Sequence, residues 1–269
     1  MRKFYKAMIF LLLLSTSNCF SQIFEVPQSE KGFFINDEPT ITFLYASDNA
    51  KATLIFIPGG NGSVGVKKHW TLEGNYFSKY HFNKMLSSLA DKNKTDGFFN
   101  VVIFDNPTSL GIGNSLPLRG GKDHLTRIES VISFYKSKFN MPVWLMGHSA
   151  GGVSVGEFMN YVVKNKKEEL VSGMIFSAGR NDSSFNTNYD VPSIFLIHQD
   201  DACFNTTPSR NRQMYENFKK SNKSNTEFYL IKSGTSQTDP CTSGQHMYFG
   251  GEEETASTIN SFAKSILIK

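Results

Sequence analysis

The sequence has no internal repeat, no low-complexity linker, few cysteines and histidines, and little net charge. Its most apolar opening run, Ala7 to Leu14, is too short to span a bilayer as a helix, and no other apolar stretch is long enough either. That run follows Arg2, Lys3 and Lys6 and precedes small residues, with Ser21 the expected last residue before cleavage. This is the layout of a secretory signal peptide over residues 1–21, and it predicts an exported protein, periplasmic or secreted. A buried N-terminal helix would not need charge ahead of its apolar run. Lipid attachment through Cys19 is a further alternative, against which the bulky Asn18 before it argues.

Cleavage removes three positive side chains and lowers the formal net charge from +4 to +1. A nearly neutral chain lacks the basic field that nucleic-acid binding uses. Of three cysteines, Cys203 and Cys241 remain, and an exported protein with two cysteines can form one disulfide. The six histidines show no metal-ligand spacing, so no metal site is predicted. Roughly 250 residues are left, enough for one large core and for a single α/β domain over 22–269.

Short β-rich runs alternate with longer amphipathic ones. Strands are predicted at TITFLYA from Thr40, TLIFI from Thr53, VVIFD from Val101, VWLMG from Val143, SGMIFSA from Ser172, SIFLIH from Ser193 and TEFYLIK from Thr226. Most are apolar at consecutive positions, as suits strands buried on both faces of a parallel sheet. Helices are predicted from Phe82, from His124, directly after Ser149, from Ser209 and over the last segment from Glu254. The alternation argues for a doubly wound, mostly parallel α/β sheet, whose ligands sit at the carboxyl ends of the strands.

After VWLM comes GHSAGG, a G-x-S-x-G motif between a strand and a helix. The flanking glycines allow a sharp turn that lifts the Ser149 hydroxyl above the sheet, and the next backbone N–H, from Ala150, is free to face an oxyanion. Ser149 is the predicted nucleophile. A serine hydroxyl needs a base, and the base an orienting acid, which follow the serine along the chain in this arrangement. His246 is the only histidine beyond the strand that should carry the acid, and is the predicted base. His148 is read as packing and His198 as a local hydrogen-bonder, while His69, His81 and His124 line a pocket or face solvent. QDDACF follows SIFLIH and offers Asp200 and Asp201. Asp201, deeper in the loop and beside Cys203, is preferred. Asp182 is the runner-up and Asp239 the weaker choice. A Cys203–Cys241 bond would pin the acid loop to the base loop.

PGGNGSVG, after the strand from Thr53, contains G-x-G-x-x-G at Gly60, Gly62 and Gly65. A dinucleotide loop would need an acid about twenty residues on, at a strand end. That distance lands near Tyr80, with no acid there, and Lys67 to Tyr80 reads as irregular instead of helical. The loop fits better as a donor of the second oxyanion N–H, from Gly60 or Asn61, with Ala150 giving the other.

PGGNG, GHSAGG, HQDDAC and DPCTSGQH together resemble the α/β-hydrolase superfamily, from about Thr40 to the C-terminus. The D-x-C of the acid loop with P-C ahead of the histidine resembles exported bacterial members. The resemblance implies Ser149, Asp201 and His246 as a triad, two backbone oxyanion donors and no cofactor. Many members insert a helical cap after the sixth strand. Here only Arg180 to Val191 lies in that interval, so an open cleft is expected, walled by the Ser63–His81 and Asn106–Asp123 loops. The leading expectation is an exported carboxylesterase acting on a small-molecule or carrier-linked ester. A peptidase or acyltransferase would use the same parts, a binding protein could share the fold, and a nucleotide enzyme rests on the glycine spacing alone.

Overall fold

Strands that are apolar at every position can be satisfied only if both faces of the sheet are covered. The computed structural model, described over residues 21–31, 36–66, 82–107, 116–186 and 188–268, shows that solution. Its eight strands are β1 (Ser21–Val26), β2 (Thr40–Tyr45), β3 (Ala52–Ile57), β4 (Phe99–Asp105), β5 (Val143–His148), β6 (Gly173–Ser177), β7 (Ser193–His198) and β8 (Thr226–Ile231). They form one sheet in the order β1-β2-β4-β3-β5-β6-β7-β8. β1 and β2, and β2 and β4, pair antiparallel, and every other pairing is parallel.

Alternate residues of each central strand enter opposite cores. Leu54 and Phe56 of β3 and Trp144 and Met146 of β5 pack under α1 (Phe82–Ala90) and the C-terminal helix α7 (Glu252–Leu267). Ile55, Ile57, Val143 and Leu145 face the other side, under α4 (Lys122–Phe139), α5 (Gly151–Asn165) and α6 (Pro208–Ser221). All eight of these strand side chains are 0 % exposed. Burying each contributes about 1.5–3 kcal/mol. Edge strand β8 alternates buried and exposed residues instead.

The predicted fold class is the observed one, with differences at the margins. β1 was not expected, because it begins on Ser21, the last residue of the proposed leader; it joins the sheet by pairing Ser21–Val26 with Thr40–Tyr45. Two four-residue helices, α2 (Lys92–Thr95) and α3 (Leu116–Arg119), were also unforeseen, and α3 lies inside the segment expected to be a cleft-walling loop, Asn106–Asp123. Among the described residues no helix lies between β6 and β7, where a cap would be inserted. None of the described helices is long and apolar enough to cross a membrane. Residues 1–20 of the proposed leader over 1–21, and the stretch read as irregular, Lys67 to Tyr80, lie outside the described residues.

Candidate active site

Parallel pairing brings the carboxyl ends of β3, β5, β6 and β7 to one rim. β5 ends at His148, and Ser149 follows at φ 53° before α5 begins at Gly151. This left-handed conformation costs a non-glycine residue on the order of 1–3 kcal/mol. It is held by the Ser149 N–H, which donates to Ser177 O at 3.0 Å, and by Ser149 O, which accepts from the Gly152 N–H at 3.0 Å. The two motif glycines are required by contact. A Cβ on Gly147 would lie 2.5 Å from Gly151 O, and one on Gly151 would lie 2.1 Å from Ile57 O. The second clash also shows how closely the turn approaches the end of β3, where the glycine loop starts. Ser149 is only half-buried, and its hydroxyl makes no hydrogen bond among the described residues. The N–H of Ala150, at the start of α5, likewise has no acceptor among them.

β7 ends at His198, and Asp201 lies in the loop beyond it. Asp201 Oδ2 is 2.9 Å from His246 Nδ1, and both side chains are essentially inaccessible. The Cys203 N–H donates to Asp201 Oδ1 at 2.8 Å, and Thr206 Oγ1 donates to Oδ2 at 3.1 Å. Thr206 Oγ1 also lies 3.1 Å from His246 Nδ1. A carboxylate accepts only, so Nδ1 carries a proton, and in the neutral ring it is Nε2 that has the lone pair. Of the four acids weighed from sequence, Asp201 is the one in contact with His246. Asp200 accepts from Gln199 at the surface, Asp182 pairs with Arg180 at 2.9 Å, and Asp239 caps its own turn by accepting the N–H groups of Cys241 and Thr242.

Cys203 and Cys241 form a disulfide with Cα atoms 4.6 Å apart, joining the loop of Asp201 to the segment before His246. His246 itself sits in a one-turn 3₁₀ helix, Gly244–Met247.

His148 is buried in packing, as read from sequence, and lies between Phe82 at 4.5 Å and His246 at 4.8 Å, centroid to centroid. Its Nδ1 is 3.0 Å from Ser177 Oγ, Ser177 Oγ is 2.9 Å from the Tyr248 hydroxyl, and Tyr248 donates to Leu196 O at 3.1 Å. Only one direction satisfies this chain: His148 Nδ1–H to Ser177, Ser177 to Tyr248, Tyr248 to the carbonyl. His148 therefore donates through Nδ1, and burial, with the His246 ring adding to it, holds its pKa well below the usual imidazole value and so keeps the ring neutral. His198 accepts locally from the Asp200 N–H at 3.0 Å. His69 and His81 lie outside the described residues. The expectation that His124 lines a pocket or faces solvent is corrected: it is 1 % exposed and hydrogen-bonded inside a polar network under α5. No cluster of potential metal ligands occurs among the described residues.

The glycine loop is held from beneath. Gly59 O accepts the Gly62 N–H at 2.9 Å across a turn through Gly60, which has φ 54°. Asp105, at the end of β4, accepts from Ser63 Oγ and from the N–H groups of Val64, Gly65 and Val66. Burial raises the Asp105 pKa, against the lowering pull of those donors. Such an arrangement spends the loop's later N–H groups on a protein carboxylate instead of a bound phosphate. The N–H groups of Gly60 and Asn61 have no acceptor among the described residues.

Thr206, Ser177, Tyr248 and the residues beneath the glycine loop were not foreseen. Their partners are distant in sequence, and no local motif marks them.

No protein-family model matches the chain, and no curated protein matches it. Solved structures do. An α/β serine hydrolase without lid from Xanthomonas campestris matches with TM-score 0.59 at 12 % identity, covering 91 % of this chain and 94 % of that one. Carboxyl esterase 2 from the mycorrhizal fungus Tuber melanosporum matches with TM-score 0.60 at 11 % identity, over 94 % and 89 %. Dienelactone hydrolase from Anabaena variabilis matches with TM-score 0.57 at 12 % identity, over 92 % and 97 %. The chain has the α/β-hydrolase fold. It carries a disulfide between the loop after β7 and the histidine segment.

Proposed function

We propose that the protein is an exported serine hydrolase, most simply a carboxylic ester hydrolase, with Ser149, His246 and Asp201 as its triad. The observation that carries this reading is the buried 2.9 Å contact of Asp201 with His246 Nδ1, which in the neutral ring makes Nε2 the basic nitrogen, together with a half-buried serine at a left-handed turn. Ser149 Oγ attacks the ester carbonyl while His246 Nε2 takes its proton. The tetrahedral oxyanion is met by the Ala150 N–H and by an N–H of Gly60 or Asn61. His246 then protonates the leaving alcohol, and water, activated by the same imidazole, releases the acid from Ser149. Asp201 orients the imidazole and stabilises its charged form. Esterase and hydrolase structures among those sharing the fold support this reading. So does the open interval after β6, which suits a small ester or one on a bulky carrier.

Export is supported by the disulfide and by the leader-like sequence. Cleavage after Ser21 would leave Gln22–Val26 still paired with Thr40–Leu44. The test is hydrolysis of p-nitrophenyl esters of graded acyl length beside matched peptide amides, with Ser149→Ala as control. Ester cleavage lost in the variant supports the proposal. Amide cleavage alone redirects it to a peptidase, and no turnover by folded protein on any substrate counts against catalysis.

A further inference from the structure

Arg119 is 0 % exposed at the end of α3, and its guanidinium reaches the glycine loop. Nη2 donates to Gly60 O at 2.9 Å and Nη1 to Pro58 O at 3.2 Å. Nη1 also donates to Ser154 Oγ at 2.9 Å on the first turns of α5, two turns at most from Ser149. From there the polar chain continues: Ser154 Oγ lies 2.9 Å from His124 Nε2, His124 Nδ1 lies 2.9 Å from Asn106 Oδ1, and Asn106 Nδ2 donates to Gly62 O at 2.8 Å.

The directions in this chain are fixed at both ends. Arg119 only donates, so Ser154 accepts from it and gives its own proton to His124 Nε2. Asn106 donates through Nδ2 to a carbonyl, so its Oδ1 accepts from His124 Nδ1–H. His124 must be neutral for this, and burial beside Arg119 and Arg127 lowers its pKa to about 3. Both ends of the relay grip the same short loop, Arg119 at Pro58 O and Gly60 O and Asn106 at Gly62 O.

In a trans peptide the C=O and the following N–H point in opposite directions. No peptide bond among the described residues is cis. A Gly60 carbonyl drawn inward to Arg119 therefore turns the Asn61 N–H outward, away from the guanidinium. The start of this loop lies against the serine turn, since Ile57 O and Pro58 C are the atoms a Gly151 side chain would strike.

We infer that Arg119 is a positioning residue for the oxyanion site: by holding the Gly60 carbonyl it presents the Asn61 N–H as the second donor beside Ala150. The inference rests on the serine-hydrolase reading proposed above. It gives the Asn61 candidate a physical support and gives a role to a buried cation that the triad does not use.

The experiment compares wild type with Arg119→Met, Arg119→Lys and Ser154→Ala. The readouts are kcat and KM on p-nitrophenyl acetate, the inhibition constant of phenylboronic acid as a tetrahedral mimic, and the backbone ¹⁵N–¹H NMR signal of Asn61, its shift and heteronuclear NOE. Losing the alignment of one oxyanion donor should lower kcat by about 10²-fold while KM changes little. Boronate affinity should weaken in parallel with kcat, because both report the tetrahedral state. Arg119→Lys should recover part of the loss, and in Arg119→Met the Asn61 signal should shift and its heteronuclear NOE fall. Folded Arg119 variants with kcat, boronate affinity and Asn61 signal all near wild type would overturn the assignment. Should Arg119→Met fail to fold, Ser154→Ala decides: it loosens one contact of Arg119, and unchanged kcat and Asn61 signal there would also overturn it. Wild type that turns over no ester tells against the hydrolase reading instead, and the Asn61 signal in the Arg119 and Ser154 variants then judges the positioning role alone.

Discussion

The imidazole of His148 packs against that of His246 at a centroid distance of 4.8 Å, yet the two rings are held in opposite ways. His246 is tied through Nδ1 to a carboxylate, whereas His148 is tied through Nδ1 to a chain of hydroxyls ending on a carbonyl. The carboxylate sets the direction in which the Nδ1 of one ring points its proton. The hydroxyl chain and burial keep the other ring neutral.

Two buried neutral histidines make stability fall in mild acid. His148 and His124 both have folded-state pKa values below the ordinary 6.5, the latter at about 3. The unfolded chain takes up protons at these sites below about pH 6.5 and the folded chain does not. Their contribution is complete above that pH and is lost as pH falls, by at most about 1.4 kcal/mol per pH unit for each. Asp105, whose carboxyl is raised by burial, acts in the opposite sense over its own range. Urea midpoints between pH 7.5 and 5 should decline, and His124→Asn should show a shallower decline than wild type.

The glycines of the serine turn should not tolerate a methyl group. Gly147→Ala and Gly151→Ala each set a Cβ within 2.5 Å or less of a backbone oxygen. Overpacking of this kind typically costs about 1–3 kcal/mol. Thermal denaturation should register that loss, and ester hydrolysis should fall further than stability, because relief of either clash displaces Ser149.

Asp201→Asn should lower kcat by about 10³–10⁴-fold with little change in KM, through loss of the correct imidazole tautomer. Thr206→Val keeps the shape but removes the hydroxyl shared by Asp201 and His246. A smaller loss, about tenfold for one positioning hydrogen bond, is expected in kcat. Steady-state kinetics at matched folded fraction measures both, and a Thr206→Val enzyme as slow as Asp201→Asn would contradict the ranking.

Reducing the Cys203–Cys241 bond releases a closure spanning 38 residues of sequence, worth about 4 kcal/mol in the chain-entropy model. The first consequence should be local, at the Asp201 and His246 segments that it joins. Activity should decline at lower reductant concentration than the near-UV circular dichroism signal. Coincident loss of both would mean that the bond supports the fold as a whole and not the site in particular.

What sequence revealed and what it hid follow from the range of the interactions. The central strands were legible because burial on both faces leaves consecutive apolar residues, as in Leu54–Ile57. The serine turn was legible because its demands are local: two glycines must flank Ser149 within five residues. The contact of Asp201 with His246 was anticipated by chain order, with Asp201 preferred to its neighbour Asp200 for its depth in the loop and its place beside Cys203. The supports were not legible. Arg119 meets Gly60 across 59 residues, and Ser177 meets Tyr248 across 71. An arginine in a short helix carries no mark that its charge is turned inward. β1 was hidden for a different reason, since its six residues alternate weakly and begin on the last residue of the proposed leader.

The most direct test is the site and extent of reaction with a fluorophosphonate. Intact-mass spectrometry should show a single adduct on wild type, and peptide mapping should place it on Ser149. Ser149→Ala should remain unmodified, and Asp201→Asn should react far more slowly. Folded wild-type protein that takes up no phosphonate, or takes it up on another residue, would contradict the assignment of Ser149 as the nucleophile.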